Sequence, residues 1–107
     1  MAPQDLLYYL LCQLNNEPAA SQRGLAERFG VSVGKVNYCL RALVDKGFVK
    51  AKNFRRSDNK LAYAYVLTPD GLEERSRLTK AFLQRKLLEF EALQHEIELL
   101  KHQVLLT

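Results

Sequence analysis

Four side chains with the chemistry to read a nucleic acid crowd into one short stretch, GKVNYCLRALVD at residues 34–45. At helical spacing Val36, Leu40, Leu43 and Val44 share one stripe, which a core must cover. The opposite face carries Gly34, Lys35, Asn37, Tyr38, Arg41 and Asp45. A face that needed only to be soluble would usually hold Glu and Lys. This one presents Asn, Tyr, Arg and Lys towards its N-terminal half, types suited to base edges and phosphates, with Gly34 permitting close approach of a backbone. An ordinary solvated face is the plain alternative.

Other chemistries find little support. The sequence has no Gly-rich phosphate loop, no paired carboxylates with a pocket to shift them, and no nucleophile with a base beside it, so no catalytic residue is assigned. Cys12 and Cys39 lack a CxxC spacing, and the histidines are His95 and His102. Neither a metal site nor a disulfide framework is expected, and no cofactor. Both cysteines read as small buried hydrophobes rather than redox sensors.

The elements that must position the reading face follow from the flanking residues. Ser21 can cap a helix whose Leu25, Ala26 and Phe29 form its apolar side, and Gly30 can end it in the left-handed conformation. Ser32 then caps the next helix, over 33–46. Val31 stands where a hydrophobic staple would bring it to Val36. Two short helices across a tight turn, then a strand, are the sequence form of a helix-turn-helix. A first helix over 5–14 offers Leu6, Leu7, Leu10, Leu11 and Leu14 to the core; Tyr8 and Tyr9 cannot both face inward.

After Gly47 the period falls to two. Residues 48–53 and 61–67 read as strands, and the polar, basic segment between them as a hairpin tip. That hairpin at 48–67 holds Lys50, Lys52, Arg55, Arg56 and Lys60 against Asp58, a balance of +4. The 107-residue chain as a whole is also +4, so the hairpin carries the excess. Such a field suits a phosphate backbone, and arginines on a narrow loop suit a minor groove.

Thr68 and Pro69 open a last helix, with Asp70, Glu73 and Glu74 complementing its dipole. No breaker follows, so 69–104 reads as one helix of roughly 54 Å. A core this small cannot cover it. Leu83, Phe90, Leu93, Ile97, Leu100 and Val104 repeat at threes and fours, interrupted by Lys86, and read as a coiled-coil dimerisation seam. The longest apolar run, 6–12, is too short to cross a membrane, and no signal-peptide start is evident, so a cytoplasmic protein is expected.

The runs GKVNYCLRALVDKGFVKAKNF and KLAYAYVLTPDGLEE resemble the winged-helix regulators of the MarR family, and more closely the subgroup associated with exopolysaccharide genes. The resemblance covers about residues 5–105. It implies that Lys35, Asn37, Tyr38 and Arg41 face a major groove, that Arg55, Arg56 and Lys60 touch backbone or minor groove, and that Ser21, Gln22 and Ser32 meet phosphates. MarR proteins are typically longer, with dimerisation helices at both ends and a ligand cleft. Only the terminal arm is present here, so no small-molecule effector is expected.

The sequence thus predicts a mainly α (α+β) protein, a winged helix-turn-helix over 1–68 and a long C-terminal dimerisation helix over 69–107. Its predicted partners are double-stranded DNA and a second copy of itself. A protein-interaction module without DNA binding and a thiol-based redox regulator are the alternatives.

Overall fold

The computed structural model describes residues 3–55, 58 and 61–107. Its elements run α1 (Pro3–Asn16), α2 (Gln22–Phe29), α3 (Val33–Asp45), β1 (Val49–Arg55), β2 (Leu61–Leu67) and α4 (Pro69–Leu106). This is the expected mainly helical winged helix-turn-helix with a long last helix. Boundaries move slightly: α1 gains residues at both ends, β1 begins one residue later, and α4 continues to Leu106. The chain divides into two compact units, Met1–Ser76 and Arg77–Thr107.

In the first unit Leu6, Leu10, Leu11 and Leu14 form one stripe of α1. They are buried with Leu25 and Ala26 of α2, Val36, Cys39, Leu40 and Leu43 of α3, and Val49 of β1. Each large apolar side chain removed from water contributes about 1.5–3 kcal/mol, so these leucines dominate the stability of the unit. Among the described residues no polar or charged side chain is buried. Tyr8 and Tyr9 are both half-buried. Tyr9 stacks on Phe29 of α2, ring centroids 6.1 Å apart, so neither tyrosine enters the core fully.

The caps fall where the sequence puts them. Ser21 accepts from the Gly24 N–H at 3.0 Å, and Ser32 from the Lys35 N–H at 3.1 Å. Gly30 ends α2 at φ 65°, which costs a residue with a Cβ but not glycine. Its N–H and that of Val31 return to α2 carbonyls, closing the helix before Ser32 opens the next. The turn that sets α3 is therefore hydrogen-bonded on both sides.

One detail of α3 departs from the expected stripe. Val44 is 37% exposed, whereas Cys39 is only 5% exposed. At 100° per residue Cys39 and Val44 flank the centre of Val36, Leu40 and Leu43 almost equally, so the packing of the neighbouring elements, not the helical period, covers the one and leaves the other on the rim. The thiol, not the valine, completes the core.

β1 and β2 pair antiparallel, Val49 opposite Leu67 and Arg55 opposite Leu61. Val49, Ala51 and Asn53 therefore share a face with Leu67, Tyr65 and Tyr63, and Lys50 and Lys52 take the other. The Tyr65 N–H donates to the Pro18 carbonyl at 3.0 Å, fastening β2 to the loop between α1 and α2. Thr68 locks the far end. Its hydroxyl donates to the Gly47 carbonyl at 2.6 Å and accepts from the Gly71 N–H at 3.0 Å, while its N–H reaches the Phe48 carbonyl at 3.1 Å. One threonine thus ends the sheet and starts α4.

In the second unit the α4 residues Leu83, Phe90, Leu93, Ile97, Leu100 and Val104 are all exposed, as are Leu87 and Leu88. Lys86, which interrupts the seam, turns its ammonium to Glu89 on the same helix at 3.0 Å. Among the described residues no helix is long and apolar enough to cross a membrane.

Candidate nucleic-acid interface

The exposed side of α3 is a single surface. Gly34, Asn37, Tyr38, Arg41, Ala42 and Asp45 follow at threes and fours and line one open depression of about 510 Å³. The buried stripe of α3 holds the opposite side against α1 and α2, so the core fixes which way this surface points. Tyr38 is 75% exposed, an aromatic ring held in water by a well-packed helix. Arg41 sits beside it, one turn further on. The surface joins a cation, an amide and an aromatic face at helical spacing, a set that can hydrogen-bond base edges and stack.

Gly34 has nothing nearer its added-Cβ position than the Ser32 hydroxyl at 3.9 Å. Nothing inside the protein requires a glycine there. The open space lies on the exposed surface of α3, which leaves room for close approach of an outside partner.

Lys35 lies off this surface, exposed on the flank towards Cys39. Burial pushes the Cys39 thiol above its ordinary range, and the Lys35 ammonium pulls partly against that. A thiol that is both covered and held protonated is a poor nucleophile, so Cys39 lacks the traits of a redox sensor. Cys12 is half-buried, and both thiols are free.

Ser21 and Ser32, expected at phosphates, are exposed with their oxygens engaged in capping. Each hydroxyl keeps its hydrogen for an outside acceptor. Gln22 is half-buried and turned inward instead: Nε2 stands 3.4 Å from Asn37 Oδ1 and 3.3 Å from the Tyr65 hydroxyl. The structure brings together Gln22, Asn37 and a wing residue, Tyr65, that sequence reasoning did not single out.

On the wing, Lys50 and Lys52 are exposed on one face of β1. Arg56, Lys60 and the side chain of Arg55 lie outside the described residues. Tyr63 was also missed by sequence reasoning. It is 62% exposed at the outer end of β2, opposite Asn53, and the only sequence sign was its place in the alternating Tyr63, Tyr65 pair. Among the described residues no three His, Cys, Asp or Glu side chains gather where they could hold a metal ion.

A capped helix with an aromatic and cationic outer face, followed at once by a basic two-stranded hairpin, defines the winged helix-turn-helix class. Residues 10–50 match the family model of winged helix-turn-helix DNA-binding domains. The fold is similar to smu.1704 from Streptococcus mutans UA159, with TM-score 0.72 and 14% identity over 80% of this chain and 83% of that one. It is also similar to a MarR transcriptional regulator from Methanosarcina mazei Go1, at TM-score 0.66 and 21% identity, and to a MarR protein from Peptoclostridium difficile DA00132, at 0.66 and 16%. The matches take in 80% and 79% of this chain but only 60% and 54% of those two. At such identities the likeness is one of fold. No curated protein matches the sequence.

Proposed function

We propose that the chain is a sequence-specific, DNA-binding transcriptional regulator of MarR type that works as a homodimer. The observation that carries the reading is the single exposed face of α3, Gly34 to Asp45, set beside a basic hairpin. Residues 1–68 bind DNA. Asn37, Tyr38 and Arg41 meet base edges in the major groove, while Lys35, Lys50 and Lys52 meet phosphates with Arg55, Arg56 and Lys60. Residues 69–107 pair two copies through Leu83, Phe90, Leu93, Ile97, Leu100 and Val104. Two reading helices then address half-sites about 34 Å apart on a near-palindrome. No small-molecule effector enters this mechanism. The resemblance to the exopolysaccharide-associated subgroup makes such genes the first place to look for the operator.

The deciding experiment selects bound sequences from a random duplex pool at two salt concentrations and measures mass in the same buffer. An inverted repeat held by a dimer, with affinity falling steeply as salt rises, is the expected result. A pool that enriches nothing, with weak salt-sensitive retention only, would sink the reading in favour of a protein-interaction module.

A further inference from the structure

Gln22, the first residue of α2, directs Nε2 at two acceptors: Asn37 Oδ1 on α3 at 3.4 Å and the Tyr65 hydroxyl on β2 at 3.3 Å. One side-chain amide thus links the opening helix, the reading helix and the wing. We infer that Tyr65, acting through Gln22, is a positioning residue for Asn37, and that Asn37 reads adenine. The inference rests on the DNA-binding reading given above.

A primary amide has two N–H donors and one oxygen with two lone pairs. Both donors of Gln22 are directed to acceptors, and one lone pair of Asn37 Oδ1 is used. Asn37 is exposed, which leaves its second lone pair and its own NH₂, neighbours on one amide edge, for an outside partner. That edge complements adenine, which offers an N6 donor beside an N7 acceptor in the major groove.

The two amides are coupled. Turning Asn37 over by itself would set its NH₂ against the NH₂ of Gln22, donor against donor. Turning both over restores the bond, because the Tyr65 hydroxyl can donate as readily as accept. Asn37 therefore keeps a fixed relation to Gln22 in either arrangement, and in both it presents one donor and one acceptor. An exposed asparagine without this anchor would sample several rotamers and lose that freedom on binding. Holding it beforehand lowers the cost of recognition. Tyr65 is well placed to supply the anchor, since its own N–H is fixed to Pro18 at 3.0 Å.

The test is random-pool selection with the full chain as wild type, Tyr65→Phe, Gln22→Ala, Asn37→Ala and the Tyr65→Phe/Asn37→Ala double variant. Phenylalanine keeps the ring, so the packing of β2 is retained. Wild type is expected to require adenine at one position of each half-site. Tyr65→Phe and Gln22→Ala should each relax that position about five-fold or more, within the range for one bidentate contact, and leave other positions and the salt slope alone. In the Asn37→Ala background, Tyr65→Phe should change nothing further, which a merely structural tyrosine would not do. An enriched wild-type site with an unchanged Tyr65→Phe profile overturns this inference alone. So does relaxation spread across all positions with a shallower salt slope, which would mark Tyr65 as a phosphate contact. A wild-type pool that enriches nothing overturns the DNA-binding reading and this inference with it.

Discussion

Gly71, in the first turn of α4, lies so close to the backbone of Phe48 that an added Cβ would overlap the Phe48 carbonyl oxygen and stand 2.9 Å from its carbon. The obstacle is backbone already held by Thr68, whose N–H donates to that same carbonyl. It cannot swing aside as a long side chain would. Gly71→Ala should therefore destabilise the protein by at least about 2 kcal/mol, lowering Tm by roughly 10 °C. A thermal melt followed by circular dichroism checks it, and an unchanged Tm would show that the junction has slack the structure does not display.

Gly34 should respond in the opposite sense. A methyl group there meets only open space in the protein, and alanine loses less backbone entropy than glycine in a helix. Gly34→Ala is expected to add about 0.5–1 kcal/mol of stability. The same methyl would stand on the reading face, so specific DNA affinity should fall. Denaturant melts and binding curves on one preparation separate the two effects. A variant with higher stability and undiminished affinity would remove Gly34 from the interface.

The reading helix and the wing should divide specificity from affinity. Arg41→Ala takes a cation from the α3 surface and is expected to cost about 1–3 kcal/mol of discrimination at one base pair. Lys52→Ala takes one from an exposed strand face. It should weaken binding to every sequence and reduce the slope of log affinity against log salt by about 0.9. Titrations on cognate and scrambled duplexes across a salt series report both. Equal losses on both duplexes for both variants would contradict the division.

Much of this arrangement is legible in the amino-acid sequence, because local rules set it. Ser21, Gly30 and Ser32 mark helix ends through hydrogen bonds within four residues, and Val36, Leu40 and Leu43 of the α3 stripe follow from helical period. What escapes the sequence depends on register and on contacts far apart in the chain. Tyr65 meets Gln22 only because β2 pairs with β1 in one register and Pro18 fastens its free edge. Gly71 has the look of an ordinary first-turn residue, and only the packing of α4 against Phe48 makes it obligatory. Cys39 and Val44 flank the same stripe and differ only in which side α1 and α2 cover.

Cys39 should behave as a buried thiol. Its folded pKa is raised by desolvation, with Lys35 opposing, so little thiolate forms near neutrality. Iodoacetamide on the native protein at pH 8 is expected to label Cys12 first, and Cys39 only as the unit opens. The linkage has a definite sign. A thiol whose pKa is higher folded than unfolded contributes stability below the unfolded value, and that contribution is lost as pH rises through the folded one. Stability should decline on the alkaline side, and Cys39→Ala should flatten that decline. Rapid labelling of Cys39 in native buffer would revive a thiol-based switch.

The last unit sets the hardest demand, because the apolar side chains of its seam stand exposed. Leu93 is 54% exposed, Leu100 58% and Val104 72%, yet they repeat at threes and fours along α4. Exposed apolar side chains at heptad-like spacing fit the proposed pairing with a second helix of the same kind. Leu93→Glu/Leu100→Glu would place four carboxylates in the seam of a dimer. None of the buried core residues of the first unit belongs to this seam, so that unit should keep its fold. Light scattering is expected to show the mass fall from two chains to one, and binding to an inverted repeat should weaken far more than binding to a single half-site, since paired heads gain from effective concentration. An unchanged dimer mass would move the interface off this face of α4.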